Sequence, residues 1–526
     1  FQRMVCDNSI AYFTFAFCIM TQAIALLIMP SIILCTFSFG GEAADAPMGC
    51  ESMGMPALDE ETRLDNKGSA MLQIIGHGQR TLAQERLGAE AAANFSELHD
   101  AEVIKQAPPA DANTMHSAWV KSATNRVSPI ARFIDLPAAI TQAGFITLYY
   151  SVELANNGKL YAVPDQAQSV LEIDPETRTT RAFPTALSSL DEYTKVQKIQ
   201  KVVAADNGKL YGLPHGIGKV LEISPNDGYA RTLADQDYTA DRGDPQYPAL
   251  YKCGVLAGNG KIYAPPGGAS KVLEIDPATS TSRQLADFTY TRPNFQSVAY
   301  ATAVLAKNGK IYAPPFSATH VLEIDPTTAT SRFLDAEIDN SGALKYMDAV
   351  LARNGKIYCP PYQKGNSWAP MVLEIDPKTG TSRYLPDEVS GSPRFSSIGA
   401  VAAGNGKIYA SQYDSSVGVL EIDPATGTHR HLGGDCVAAV EMPVLAANGL
   451  IYMFGTARIG SIEKPLELDP ATGTCSRLDW DEAAVDQAAG TALGFGLWHS
   501  AVLAGNGNIY AIPWYQATKV LEITAR

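Results

Sequence analysis

From residue 131 to the C-terminus, short apolar runs alternate with turn residues in one phrase that recurs eight times. The copy at 349–385 reads AVLARNGKIYCPP, a variable stretch, then MVLEIDPKTGTSRYL. Its first run is small and apolar. Asn-Gly follows, the pair best suited to a two-residue type I′ hairpin because both central residues need positive φ. The second run ends on prolines, which have no N–H to give to a ladder. The third is VLEID. Asp-Pro-x-Thr-Gly-Thr then turns the chain into SRxL, with Gly in the left-handed position. The pattern predicts four short antiparallel strands per copy, a to d. No copy carries the long 3.6-residue period of a crossover helix.

The Asn of each Asn-Gly falls at 157, 207, 259, 308, 354, 405, 448 and 506, a period near 50. Four antiparallel strands at that period describe a propeller blade. The last copy stops after strand c, at VLEITAR (520–526), while ARFIDLP (131–137) reads like a spare strand d. The expectation is therefore an all-β, eight-bladed β-propeller over 131–526. Its last blade is completed by the N-terminal strand, so the ring has no open edge. Blades 1–8 are named here by the order of their Asn-Gly turns.

Strand c carries Glu in every copy: Glu172, Glu222, Glu274, Glu323, Glu374, Glu421, Glu467 and Glu522. Strand d carries Arg181, Arg231, Arg283, Arg332, Arg383, Arg430 and Arg477, with Arg132 in the closing strand. A spacing of nine residues puts Glu opposite Arg across the c–d turn, a pair contributing roughly 0.2–1 kcal/mol. Their presence in every blade marks a structural ladder. Glu467 and Arg477 are ten apart, which predicts a bulge near Cys475.

The a–b and c–d turns share one rim and hardly vary. The b–c and d–a loops share the other and vary in length and content, which makes that face the expected binding face. The residue six before each Asn marks the variable end of the axial channel: Ser151, Lys201, Cys253, Thr302, Asp348, Gly399, Met442 and Ser500. This ring is too mixed for a symmetric metal cage. With neighbouring Glu441 and His499, its polar candidates for ligand binding are Lys201, Asp348, Glu441 and His499. Loop aromatics Phe316, Tyr362, Trp368, Tyr413, Trp514 and Tyr515 are candidates to stack on a sugar or peptide, or to plug the blade ends.

The remaining chain adds context. A net charge of −14 and no basic stripe speak against nucleic acid as a partner. Residues 10–39 hold no charged side chain, longer than the roughly 20 residues that span a bilayer. Segment 1–40 thus reads as a transmembrane anchor or, from Met20 with Ala-Asp-Ala at 44–46, a signal segment. Either places the propeller in a lumen or outside the cell, anchored or secreted. Residues 41–130, rich in Ala, Glu and Gln, read as a partly helical linker or stalk, with one N-glycosylation sequon at Asn94. The eight cysteines form no CxxC framework and are expected mostly as buried small hydrophobes, with a long-range bridge such as Cys253–Cys436 left open. Asp235, Asp237, Asp241 and Asp244 form the one acidic loop and the only calcium candidates, without EF-hand spacing. No GxSxG, HExxH, P-loop or Rossmann fingerprint occurs, and no cofactor is expected.

At the level of NGKIYAPP…VLEIDPATGT, the blades resemble kelch, streptogramin-lyase and SMP-30-like propellers over 131–526. The kelch double glycine and its spaced Tyr and Trp are absent. The lactonase-like relatives hold an axial divalent metal with acidic and amide side chains, for which strand a here has no matching set. The resemblance thus implies the fold and not an activity. Two functions follow as expectations. The first is a non-enzymatic binding or scaffolding propeller that holds a peptide, protein or glycan on the variable face. The second is a propeller hydrolase or lyase with a metal or acid/base pair at the axial mouth.

Overall fold

The structure is a computed structural model. It describes residues 130–525, except 142–146, 185–196, 242–248, 287–288, 291–297, 339–343, 363–370, 387–396, 413–416, 456, 459–460, 463, 481–496 and 516. The expected anchor and stalk lie outside the described residues. Among the described residues, no helix is long and apolar enough to cross a membrane.

Eight four-stranded antiparallel sheets form the ring. Blade 1 runs Tyr149–Leu154, Leu160–Pro164, Val170–Asp174 and Thr179–Phe183 as strands a to d. Blade 8 takes a to c from Trp498–Leu503, Asn508–Pro513 and Lys519–Thr524. Its strand d is Ile130–Asp135, paired from Ile130↔Thr524 to Asp135↔Lys519, so closure is as expected. Each strand a touches strand a of the next blade all the way round, and blade 8 touches blade 1 in the same way. Strand a therefore lies innermost. The core is apolar residues from facing blades, such as Ile311, Leu322 and Ile324 of blade 4 packed on Val255 and Tyr263 of blade 3.

The repeated polar residues lock each blade and then tie blades together. In blade 4, Asn308 Nδ2 donates to Tyr312 Oη at 3.0 Å, and Tyr312 Oη donates to Glu323 Oε2 at 3.0 Å. Lys310 Nζ and Arg332 Nε both reach Glu323 Oε1 at 2.9 Å. Asn308 Nδ2 also donates to the carbonyl of Pro377 in blade 5, 3.0 Å away. The same Asn-to-Pro bond to the next blade recurs from Asn207, Asn259, Asn354, Asn405 and Asn506. Burying the Tyr hydroxyl is tolerated because it finds partners, one of them the exposed Asn of the turn. One sequence phrase thus serves as both the hairpin turn and the latch between blades.

The Glu–Arg ladder stands opposite in register in blades 1–6 and in the closing blade. Two details differ from expectation. The carboxylate of Glu522 is held by Arg178 from the turn of blade 1, at 2.7 Å, although Arg132 is its register partner. In blade 7 there is no bulge at Cys475: the pairing runs regularly through Asp469↔Thr474, Leu468↔Cys475 and Glu467↔Ser476. The extra residue is instead absorbed beyond the turn. Arg477 therefore falls opposite Leu466 and donates to the carbonyls of Lys464 and Val437. Cys475, brought to the outer strand, forms a disulfide with Cys436 of the preceding loop. The long-range bridge left open for Cys436 is made to Cys475 and not to Cys253, and Cys253 and Cys359 are free and buried, in keeping with small hydrophobes. Sequence spacing could not show the bridge, because the loop carrying Cys436 returns beside strand d only in the folded blade.

Candidate axial site

Strand a differs between two halves of the ring. In blades 7, 8, 1 and 2 it is six residues long: Val440–Leu445, Trp498–Leu503, Tyr149–Leu154 and Ile199–Ala204. Each of these four strands also shifts register against strand b at its variable-face end, between Glu441 and Val444, Trp498 and Ala501, Tyr149 and Ser151, and Ile199 and Val202. In blades 3 to 6 strand a is two or three residues long, although the pairs Tyr300↔Pro315 and Tyr346↔Pro361 give blades 4 and 5 the same one-residue offset against strand b. A bulge inserts an unpaired residue and re-aims its side chain, and bulges concentrate beside functional sites.

In blades 7, 8, 1 and 2 polar residues stand at or beside these shifts, whereas blades 4 and 5 have Ala301 and Met347 there. Seven before each Asn stand Tyr150, Gln200, Lys252, Ala301, Met347, Ile398, Glu441 and His499. From blade 7 through blades 8, 1 and 2 to blade 3, this position is Glu, His, Tyr, Gln and Lys. In blades 4 to 6 it is Ala, Met and Ile. Those three pack in one apolar cluster with Phe316 and Tyr362, whose rings lie 5.8 Å apart. Tyr150 of blade 1 lies within electrostatic reach of Tyr362 in the opposite blade, and of Asp165 and Glu441. The end of the axis on the variable face is therefore two-sided, polar on one arc and apolar on the other.

All the polar members are buried. The His499 ring lies 4.1 Å from Tyr150 and 5.0 Å from Trp514, and its Nδ1 is 3.2 Å from the Tyr150 carbonyl. A proton on Nδ1 makes Nε2 an acceptor. Burial pushes this imidazole down to about 3, so it is neutral. Asp165 follows strand b of blade 1. Its Oδ2 accepts from Thr147 Oγ1 at 2.5 Å, while Oδ1 has no donor in bonding geometry. Burial pushes Asp165 up and Lys252 down, each to about 7, and their mutual attraction resists both shifts. Gln200 donates to Gln197 Oε1 at 2.9 Å and leaves its own Oε1 without a donor. Glu441 is 3% exposed and makes no side-chain hydrogen bond or ion pair among the described residues. Burial alone pushes its carboxyl up to about 8. Met442, the next residue, has φ +53°, a left-handed conformation that costs a non-glycine residue about 1–2 kcal/mol.

Glu441 and His499, in neighbouring blades, both lie near Tyr150. Lys201 is buried beside Cys253 of the next blade. Asp348 serves the framework. Its oxygens accept from Ala349 N at 2.9 Å and Ala400 N at 2.8 Å, which ties blade 5 to blade 6. Tyr362 and Trp514 are buried, as is Phe316, so they act as plugs and not as exposed platforms. Tyr515 is half-buried against Trp514. Trp368 and Tyr413 lie outside the described residues.

The acidic loop does not converge on one point. Asp235 accepts from Ser282 N, Asp237 from Thr239, and Asp241 from Ser270 and Gln284. Asp244 lies outside the described residues, and no metal-sized group of His, Cys, Asp and Glu occurs among those that are described. Sequence reasoning missed Tyr150, Gln200, Lys252 and Asp165 by reading the residue six before the Asn. One position earlier, a polar side chain in an otherwise apolar strand a was the signal available.

No protein-family model matches the chain, and no curated protein matches it. Among solved structures it is similar to virginiamycin B lyase from Staphylococcus aureus, at 11% identity over 76% of this chain and 100% of that one, TM-score 0.43. It is similar to a putative 6-phosphogluconolactonase from Bacteroides uniformis, at 16% identity over 60% and 98%, TM-score 0.39. A third is the extracellular domain of a putative one-component system from B. thetaiotaomicron, at 12% identity over 73% and 53%, TM-score 0.38. These likenesses concern the propeller fold alone and assign no activity.

Proposed function

We propose that this chain is a ligand-binding propeller whose site is the mouth of the axis on its variable face. One observation carries the reading. Five consecutive blades, 7, 8, 1, 2 and 3, set a buried Glu, His, Tyr, Gln and Lys at the same place in strand a, where blades 4, 5 and 6 set Ala, Met and Ile. A purely structural channel has no need of that asymmetry. Buried acceptors left without donors, at Asp165 and Gln200, are the kind of group a bound molecule satisfies. The ligand is a small molecule or the protruding end of a peptide or glycan. The exported setting expected from residues 1–40 is supported by the Cys436–Cys475 disulfide, a bond that persists in oxidising compartments.

The hydrolase or lyase reading draws on one observation of its own. Glu441 is held protonated near neutral pH, as a general acid must be. The test for both is thermal unfolding of the full chain against a panel of oligosaccharides, peptides and small organic ions, with calcium and EDTA included. A ligand that binds only the folded state raises the midpoint. Hits abolished by Q200L support the axial site, and hits turned over by the wild type but not by E441Q support the enzyme. Hits insensitive to Q200L and lost in Y515A would move the site to the loops and refute the axial reading. A calcium-dependent rise would favour a metal-dependent enzyme.

A further inference from the structure

We propose that Asn157 is a self-modification site: the folded ring deamidates there ahead of the six Asn-Gly turns that are latched to a neighbouring blade. The inference is independent of the axial site. The chemistry needs only water. The Gly158 backbone nitrogen, deprotonated by base, bonds to Asn157 Cγ, and Nδ2 leaves as ammonia. Water then opens the resulting five-membered imide at either carbonyl, giving aspartate or isoaspartate. One water is consumed and one ammonia released. Glycine favours the closure because it has no Cβ in the way and turns freely about its backbone.

Every copy has the Asn-Gly pair, so the fold must discriminate. Two restraints are shared. Gly158 N–H donates to the Ala155 carbonyl at 2.9 Å, and Asn157 Oδ1 accepts from Lys159 N at 3.1 Å. The other seven turns carry the same two bonds. The amide nitrogen separates them. In Asn207, Asn259, Asn308, Asn354, Asn405 and Asn506 it donates both to the Tyr hydroxyl of its own blade and, at 2.8–3.2 Å, to a Pro carbonyl of the next. Asn157 Nδ2 has Tyr161 Oη, at 3.0 Å, as its one acceptor among the described residues.

The cause lies in the facing turn. In the other c–d turns, Asp before Pro accepts from the backbone N–H two residues on. Blade 2 has Ser224 before Pro225, and Ser224 Oγ donates instead to Asp227 Oδ2 at 2.6 Å. The Asn157 amide is therefore held at one point, where the six are held at two. Asn157 and Gly158 are both exposed, and nothing lies within 4 Å of where a Cβ on Gly158 would stand, so water and base reach the turn. The product is disruptive: a carboxylate at 157 cannot donate to Tyr161 Oη, which itself donates to Glu172 Oε2 at 3.1 Å.

The test is peptide mapping by mass spectrometry of the full chain, incubated folded in mildly alkaline buffer and, separately, unfolded in urea. The unfolded chain gives each site its intrinsic rate, and the folded-to-unfolded ratio isolates the fold. The ratio at Asn157 should exceed that of each of the six by about fivefold, the factor that one net hydrogen bond represents at 25 °C. Y161F removes the remaining acceptor and should speed Asn157 by about the same factor again. Y312F leaves Asn308 its bond to Pro377 and should bring that site to about the wild-type level of Asn157. Thermal unfolding checks that both variants fold. A ratio at Asn157 no larger than that of the six overturns the proposal, as do unchanged rates at Asn157 in folded Y161F or at Asn308 in folded Y312F.

Discussion

The repeated Glu of strand c allows a test inside one molecule, because blade 5 keeps every partner and blade 7 has lost both cations. Glu374 is 3% exposed and accepts from Arg383 Nε at 2.7 Å, Lys356 Nζ at 2.8 Å and Tyr358 Oη at 2.9 Å. Burial pushes its carboxyl up, but the bonds from Arg383, Lys356 and Tyr358 outweigh it and hold it at about 2. Against an ordinary value of 4.5, that is roughly 3 kcal/mol at 1.36 kcal/mol per unit. Side chains of Arg383 and Lys356 are 62% and 31% exposed, so solvent screening reduces this to about 1–2 kcal/mol. With an unfolding entropy of about 2.1 cal/mol/K per residue over roughly 400 residues, E374Q should lower the melting temperature by about 1–2 °C at pH 7. The folded-state value lies below the unfolded one, so this stability is present above pH 4.5 and fades as pH falls toward 2. In blade 7, Leu450 stands where the other copies have Lys or Asn, and Arg477 is displaced to face Leu466. Glu467 keeps its bond from Tyr452 Oη at 2.9 Å. E467Q should therefore cost less than half as much as E374Q. The assay is differential scanning calorimetry of both variants at pH 7 and pH 3. Equal losses at pH 7, or an E374Q deficit that persists undiminished at pH 3, would refute the argument that the cations make the ladder.

The axis and the disulfide each give one more prediction. Glu441 has its folded-state value raised to about 8, so its contribution is favourable below pH 4.5 and is lost as pH rises through 8, at about 5 kcal/mol at most. The melting temperature of E441Q minus that of the wild type should therefore grow from pH 5 to pH 9, and a flat difference would contradict a buried, unpartnered carboxyl. Replacing both Cys436 and Cys475 by Ser opens a bridge of sequence separation 39, worth about 4 kcal/mol in the chain-entropy estimate. Urea unfolding of that variant should show a lower midpoint, whereas unchanged midpoints with and without reductant would mean the bridge does not form.

The recurrence of Asn-Gly, the prolines after strand b and the spare strand d at 131–137 carried the whole ring in local sequence. Each of these signals is read within a few residues, because hairpin turns need positive φ and strands alternate. The Glu–Arg register was legible for the same reason: turn length sets which residues oppose. Legibility failed where a contact spans blades. The displacement of Arg477, its missing bulge and the Cys436–Cys475 bridge depend on how an extra residue is absorbed, and several solutions share one sequence.

At the axis, the sequence alone determined which residues sit near the variable end of strand a, and it named Glu441 and His499. It also identified Phe316, Tyr362 and Trp514 as aromatic without saying which way they face. Only the tertiary structure decided that these rings turn inward, that Asp348 ties two blades together, and that Tyr150, Gln200, Lys252 and Asp165 join the site. The physical reason is the bulge. In a regular strand, side-chain direction follows from position by strict alternation. A register shift breaks that alternation at the residues that matter, and blades 1, 2, 4, 5, 7 and 8 all carry one.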